Sequence, residues 1–426
     1  MSPWYYWLCG FFLLQATEAL GVFDRLLYGE WIGKPGDKFT QGLNILMIVT
    51  SLLLVARAYR RLKPIRAGVI LSSFGGAFLT TSTFWSIDPP TTTREAILYG
   101  ILLLGSIGVA ANLEARQLMQ LLTYICLFAA AASVVLLIIY PAAATVAQSD
   151  SIEFRGIFSQ KNFLGEVMVV GVLASLHLLR SGERNRLRHF SILLVLTCVA
   201  LASKSATSCL TIFCFFSAHV LIALFRRGGV ARLLSGVGVI LLFPIVVVAA
   251  VFPDTFLEML GKDPTLTGRT ELWTYVLADI AQRPLLGWGY SAFWSPNDPA
   301  AMEISDTLKW FVPQAHNGLL EMLLNVGAMG TAFFIFLWGR NIWLALQCMR
   351  TPATALAVTT LLSCFGIFIV GISETVLMDR GEPSTSVFYI TGLMCERAVR
   401  VARKRDYASL RRSYPRGSPA PNNLLS

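Results

Sequence analysis

Residues 207–232 read TSCLTIFCFFSAHVLIALFRRGGVAR. From Thr207 to Phe225 there is no charged side chain, and the apolar run ends at Arg226, Arg227 and Arg232. A helix of about 20 apolar residues crosses the hydrocarbon core of a bilayer, and a basic cluster at one end fixes which end stays in the cytoplasm. The same pattern recurs along the whole chain, with predicted spans at residues 4–23, 40–58, 67–85, 96–112, 118–145, 163–179, 189–202, 207–225, 233–252, 317–338, 353–373 and 385–396. Composition agrees: 55% of the 426 residues are hydrophobic, and only 14% are charged against about 25% in soluble domains. The expected fold is therefore all-α, a polytopic membrane bundle of about 12 transmembrane helices. A soluble domain on a single anchor is excluded.

The net charge of +10 is placed by topology, which argues against a nucleic-acid partner. Alternate loops carry the basic residues: Arg57, Arg60, Arg61, Lys63 and Arg66; Arg180, Arg184, Arg186 and Arg188; Arg226, Arg227 and Arg232; and Arg403, Lys404, Arg405, Arg411 and Arg412. Taking these as cytoplasmic puts 23 of the 35 Lys and Arg inside and 18 of the 25 acidic residues outside. Both termini then face the cytoplasm, in a bacterial inner membrane, and Met1–Gly10 opens the first span rather than a signal peptide. Residues 1–396 form one transmembrane domain, and 397–426 a basic tail that is disordered toward its end. The eight cysteines fall in spans or inner segments, so no disulfide framework is expected.

One outer loop, about 253–315, is far longer than the rest, and long loops are usually functional. Within it, Leu272, Trp273, Val276, Leu277 and Ile280 recur at helical spacing, predicting an amphipathic helix over 270–283. Gly268 opens that helix, and Pro284, Gly287 and Gly289 close it. Such a helix lies on the membrane surface or caps the bundle. A shorter outer loop spans 148–162, and 203–207 is a tight polar turn.

The sequence has no Walker A loop, no Asp-x-Asp pair and no Cys/His spacing for a metal, so neither a metal nor another cofactor is expected. What remains are cations on an otherwise acidic face: Arg155 and Lys161 ahead of a span, Lys204 in the polar turn, and Arg269 at the start of the amphipathic helix. An Arg beside the free N–H groups of a helix start suits phosphate oxygens. The competing reading is that Arg155 and Arg269 anchor at lipid headgroups or pair with Glu153 and Glu271. His316 precedes Asn317, a good N-cap, and the positive end of that helix favours the neutral imidazole a general base needs. Glu321, one turn on, is an intramembrane carboxylate and hence a functional candidate, although it does not share a helix face with His316.

Three stretches resemble the O-antigen ligase and polysaccharide polymerase family of bacterial inner membranes. They are Arg155-Gly-Ile-Phe-Ser-Gln-Lys-Asn-Phe-Leu-Gly165; Gly268-Arg-Thr-Glu-Leu-Trp273 with Arg283-Pro-Leu-Leu-Gly-Trp-Gly289; and Ala315-His-Asn-Gly318 with Glu321, Gly327 and Gly330. Together they mark a core of about 150–335. The Lys161-Asn162 form is similar to exopolysaccharide polymerases of the succinoglycan type. The resemblance implies that Arg155 and Arg269 bind the diphosphate of an undecaprenyl-diphosphate-linked glycan, with His316 taking a proton from the hydroxyl of a glycan acceptor on the periplasmic face. It also implies Lys161, Asn162, Lys204, Trp273, Asn317 and Glu321 as substrate-binding residues. Trp288, Phe293, Trp294, Trp310 and Phe311 are candidates for stacking on sugars, and membrane lipids, a chain-length regulator and export machinery are implied partners. Two alternatives are ligation of O-antigen to lipid A-core, and transport of a lipid-linked oligosaccharide.

Overall fold

A computed structural model describes residues 3–21, 38–148, 151–182, 185–239, 269–295, 298–372, 374–376, 378 and 381–413. Thirteen labelled helices organise them: α1 (Pro3–Ala16), α2 (Lys38–Ala58), α3 (Arg66–Thr81), α4 (Pro89–Asn112), α5 (Ala115–Ile139), α6 (Lys161–Arg180), α7 (Arg186–Ala202), α8 (Ala206–Arg227), α9 (Arg269–Gln282), α10 (Pro299–Leu308), α11 (Gly318–Cys348), α12 (Thr354–Val370) and α13 (Pro383–Ser413). Seven helical stretches are long and apolar enough to cross a membrane, and Gly229–Val239 and Thr354–Val370 are shorter apolar helices. The predicted span at 233–252 lies largely outside the described residues. Residues of the tail are helical as far as Ser413, because α13 runs on without a break beyond its apolar part.

Exposure orders the bundle. In α6, 89% of the most apolar window is buried, whereas in α2 only 22% is, and α2 exposes Ile45, Val49, Leu52 and Leu53. An apolar exposed face is stable only against lipid, so α2 is peripheral and α6 central. Around α6 pack α5, α7, α8 and α12, and α2 and α3 pack on α4. Close approach at α6 depends on Gly165, whose added Cβ would lie 2.4 Å from Ser208 Oγ. The Ser205 hydroxyl caps α8 by accepting from Ser208 N, which seats the 203–207 turn beside the first turn of α6.

Among the described residues one hairpin interrupts the helical pattern: β1 (Thr145–Gln148) pairs antiparallel with β2 (Ser151–Phe154). The span predicted to 145 therefore ends at Ile139. Tyr140 leaves the helix before Pro141, and the chain turns into the hairpin.

The described part of the long loop, from Arg269 on, folds into a cap with its own apolar core. Leu272 and Val276 of α9, Phe293, Ala301 and Ile304 of α10, Val312, Ala315 and Leu324 are all buried together there. This agrees with the predicted amphipathic helix and selects capping over lying on the membrane. Leu277, counted in the apolar stripe, is 53% exposed. Gly268 lies outside the described residues.

The cap is fastened by a break in α11. Gly327 has φ 61°, and the helical bonds that Leu324 and Asn325 carbonyls would make are replaced. Trp288 N–H donates to Leu324 O (2.8 Å) and Gly289 N–H to Asn325 O (3.0 Å), while Ala328 N–H donates to Pro284 O and Met329 N–H to Leu285 O. Four bonds to the loop thus replace two within the helix, which keeps every one of these backbone groups paired.

Candidate functional site

Three chain segments converge on one carboxylate, Glu374, whose residue is only 6% exposed. It follows α12, and its N–H donates to Val370 O. Asn162, in the first turn of α6, donates to Glu374 Oε1 at 2.6 Å. Gln314 Nε2 donates to Glu374 Oε2 at 3.1 Å, and Thr375 donates to Gln314 Oε1. Arg269 Nη2 lies 3.9 Å from Oε1, and His316 Nδ1 lies 3.9 Å from Oε2. The two 3.9 Å approaches are electrostatic contacts beyond hydrogen-bond range, so the Arg269 and His316 side chains are held beside the carboxylate without being consumed by it.

Each element has a local reason for its place. Asn317 caps α11, accepting from Leu319 N and Leu320 N, as its position predicted. His316, just before the cap, takes φ 50°, a left-handed conformation that turns its ring out of the helix axis. Glu321 holds this corner from within α11: its Oε2 accepts from Ala315 N (2.8 Å) and Trp294 Nε1 (3.0 Å), and its Oε1 from Asn325 Nδ2 (2.8 Å). Trp273 Nε1 donates to Ala315 O at 3.0 Å. Gly318 N–H donates to Gly371 O at 2.7 Å, and a Cβ on Gly318 would press on the Gly371 and Glu374 carbonyls. Helix α11 and the end of α12 are thereby held close enough for His316 and Glu374 to meet.

The orientation of the Gln314 amide follows from its neighbours. A carboxylate accepts and the Thr375 hydroxyl donates, so the NH2 faces Glu374 and the oxygen faces Thr375. The same NH2 lies 3.2 Å from His316 Nδ1. Nδ1 then accepts and the imidazole proton sits on Nε2. A turn of the ring toward Glu374 would instead put the proton on Nδ1 and leave Nε2 free as a base. Trp310 lines the same corner, its ring centroid 6.0 Å from that of His316.

Of the residues singled out from sequence, Asn162, Arg269 and His316 are brought together around Glu374. Arg155 occupies the hairpin exit, where Nε donates to Ala143 O (3.3 Å) and Nη1 to Ser159 O (3.4 Å). Partial burial lowers its pKa from the ordinary guanidinium value. No hydrogen bond or ion pair joins it to Arg269, His316 or Glu374 among the described residues. Lys161, and not Arg155, is the residue paired with Glu153. Arg269 meets Glu374 and not Glu271. Lys204 stands exposed in the turn beside α6, with φ 56°.

Glu321 and Trp273, expected to face substrate, both hydrogen-bond the Ala315 backbone. Among the aromatics, Phe293 is fully buried in the cap core and Trp294 is tied to Glu321. Trp288 donates to Asp279 O with Arg283 stacked over its ring at 4.3 Å. Phe311 is the most exposed of them, and Trp310, like Trp288 and Trp294, is half-buried. Glu374 and Gln314 were not singled out from sequence. The available signal was a carboxylate directly after an apolar span, at the same end as the Arg and His residues. Among the described residues no His, Cys, Asp and Glu side chains are grouped to hold a metal ion.

The O-antigen ligase family (Wzy_C) matches residues 190–335. That stretch holds Arg269, His316, Asn317, Glu321 and Gly327; Arg155 and Asn162 precede it and Glu374 follows it. The chain is also 26% identical over 347 residues to the exopolysaccharide production protein ExoQ of Rhizobium meliloti (strain 1021), covering 75% of this chain and 77% of that one.

Proposed function

We propose that this chain, a multi-pass membrane protein whose matches support an O-antigen ligase/ExoQ-like family, extends exopolysaccharide by moving a glycan from an undecaprenyl-diphosphate carrier to the hydroxyl of a second repeat unit. The observation that carries this reading is the pairing of a loosely held Arg269 and a His316 on one buried carboxylate. The chemistry needs a cation for the leaving diphosphate and a base for the acceptor, within reach of one another.

Arg269 lies 3.9 Å from Glu374, a distance at which raw attraction is on the order of 4 kcal/mol at an effective dielectric of about 20 and is largely offset by desolvation. A diphosphate, carrying more charge and a matching bidentate edge, can displace such a contact. Arg155 would supply a second guanidinium from the hairpin exit. His316 takes the acceptor proton at Nε2, which requires Nδ1–H to point at Glu374; the carboxylate then stabilises the imidazolium. Direct displacement inverts the anomeric centre, and charge on the departing diphosphate is met by arginine with no metal step.

In the membrane the Arg-rich loops face the cytoplasm, with both termini, and the Glu374 site faces the periplasm. The topology rests on the distribution of Lys and Arg. The description of the matched family favours a second reading, transfer of O-antigen to lipid A-core, in which the acceptor alone differs. Purified protein given a lipid-diphosphate repeat unit should form longer chains in EDTA, and His316→Ala should lose at least about 100-fold in rate. Activity abolished by chelator and restored by a divalent ion would sink the metal-free step. Product only when lipid A-core is supplied would select ligation.

A further inference from the structure

At the far end of α6 from Asn162, about 27 Å away at 1.5 Å per residue, lies a second polar cluster that the Glu374 site does not use. Arg180 ends α6, and Arg226 lies in the last turn of α8, which runs alongside α6 from the same end. The two guanidinium groups repel each other, and Arg180 is electrostatically coupled to His219 of α8. Arg180 Nε and His219 Nδ1 are both buried and have no hydrogen-bond partner. No carboxylate among the described residues pairs with Arg180 or Arg226.

Neighbouring cations that repel, with buried donors unpaired, cost stability unless an anion completes them. Two features say what that anion is attached to. Helix α8 exposes Phe213 and Val220, seven residues apart on one face, an apolar surface that acyl chains would cover in a membrane. The polar groups are also stacked along α8: His219 sits seven residues, about 10 Å along the helix, further in from its basic end than Arg226. A free phosphate cannot span that depth, whereas a glycerophospholipid carries its ester carbonyls below its phosphate. Basic pockets between helices at the cytoplasmic side take anionic headgroups in this way.

We propose that Arg180, Arg226 and His219 form a binding site for an anionic phospholipid, its phosphodiester between the two arginines and an ester carbonyl accepting from His219. The site depends on the chain spanning a membrane and is independent of the reaction at Glu374.

The full-length protein, delipidated in detergent, would be offered phosphatidylglycerol, phosphatidylcholine or inorganic phosphate, with binding read by native mass spectrometry and by the shift in Tm. Phosphatidylglycerol should be retained at least tenfold more tightly than phosphatidylcholine and should raise Tm, while phosphate alone should do neither. Arg180→Gln/Arg226→Gln should abolish that preference, and Arg60→Gln/Lys63→Gln, which removes equal charge from another basic loop, should keep it. Arg226→Gln alone, at an exposed helix end, provides the test if the double variant does not fold and should weaken the preference several-fold. Equal retention of the two lipids, an unchanged preference in the Arg226 variant, or full protection by inorganic phosphate would each overturn the assignment.

Discussion

At the scale of single residues, Glu374 does more than any residue recognised from sequence. It accepts from Asn162 and Gln314 and stands 3.9 Å from both Arg269 and His316. An amide in its place can still accept one hydrogen bond but cannot stabilise an imidazolium. Glu374→Gln is therefore expected to lower kcat about 100-fold, with little change in KM for the lipid-linked donor. A Glu374→Gln enzyme with unchanged kcat would remove the carboxylate from the mechanism. Sequence reasoning reached Arg269 and His316 because they sit in motifs at predicted helix starts. Glu374 has no such local signature: its importance comes from contacts 60 and 212 residues away in sequence.

At the scale of elements, the cap depends on the break in α11. Gly327 has φ 61°, and an added Cβ would lie 2.3 Å from the Leu285 carbonyl carbon. Gly327→Ala combines a left-handed backbone cost of about 1–2 kcal/mol with that clash, so a destabilisation of at least about 2 kcal/mol is expected. It should appear as faster proteolysis within residues 284–295, whereas Gly339→Ala, with no atom within 4 Å of its Cβ, should behave as wild type. The cap should also respond to pH. Burial, with the charges of Asp298 and Glu303, raises the Asp279 pKa above its ordinary value against the Gln282 hydrogen bond, and burial raises that of Asp298. A carboxyl raised in the folded state holds its proton more tightly there, so its stabilisation is complete below the unfolded pKa of about 3.9 and lost as pH climbs through the folded value. Protease protection of the cap should improve as pH falls from 7 through the folded value toward the unfolded one of about 3.9. Asp279→Asn should flatten that trend and strengthen the cap at pH 7; an unaltered slope would mean other groups set it.

At the scale of the whole molecule, the Arg-rich end of the bundle is locked by a second buried carboxylate. Glu396 of α13, 3% exposed, accepts from Ala67 N and Gly68 N at the start of α3. It also accepts from Arg340 of α11 at 2.6 Å and Arg400 at 2.9 Å. One side chain thus ties three helices, and a carboxylate at the N-terminus of α3 complements the helix dipole as well. Removing it leaves Arg340 largely buried and uncompensated. Glu396→Ala is expected to cost about 3–5 kcal/mol and to lower Tm in detergent, with the Glu374 site at the other end losing activity only through unfolding. If activity per folded molecule fell as well, the two ends would be coupled.

The sequence by itself determined that the chain is built of apolar helices, where most of them begin and end, and that an amphipathic helix lies in the long loop between them. These follow from periodicity, charge and caps, which act over a few residues, and 269–282 is observed where 270–283 was expected. The hairpin at 145–154, the helical course of α13 to Ser413 and the cap's attachment through the α11 break were decided by tertiary structure. So were the contacts of Glu321 and Trp273 with the Ala315 backbone and the gathering of Asn162, Arg269, Gln314 and His316 on Glu374. Their common cause is the pairing of buried polar groups. In a low-dielectric interior each donor and acceptor must find a partner, and which partner is within reach depends on how distant helices pack.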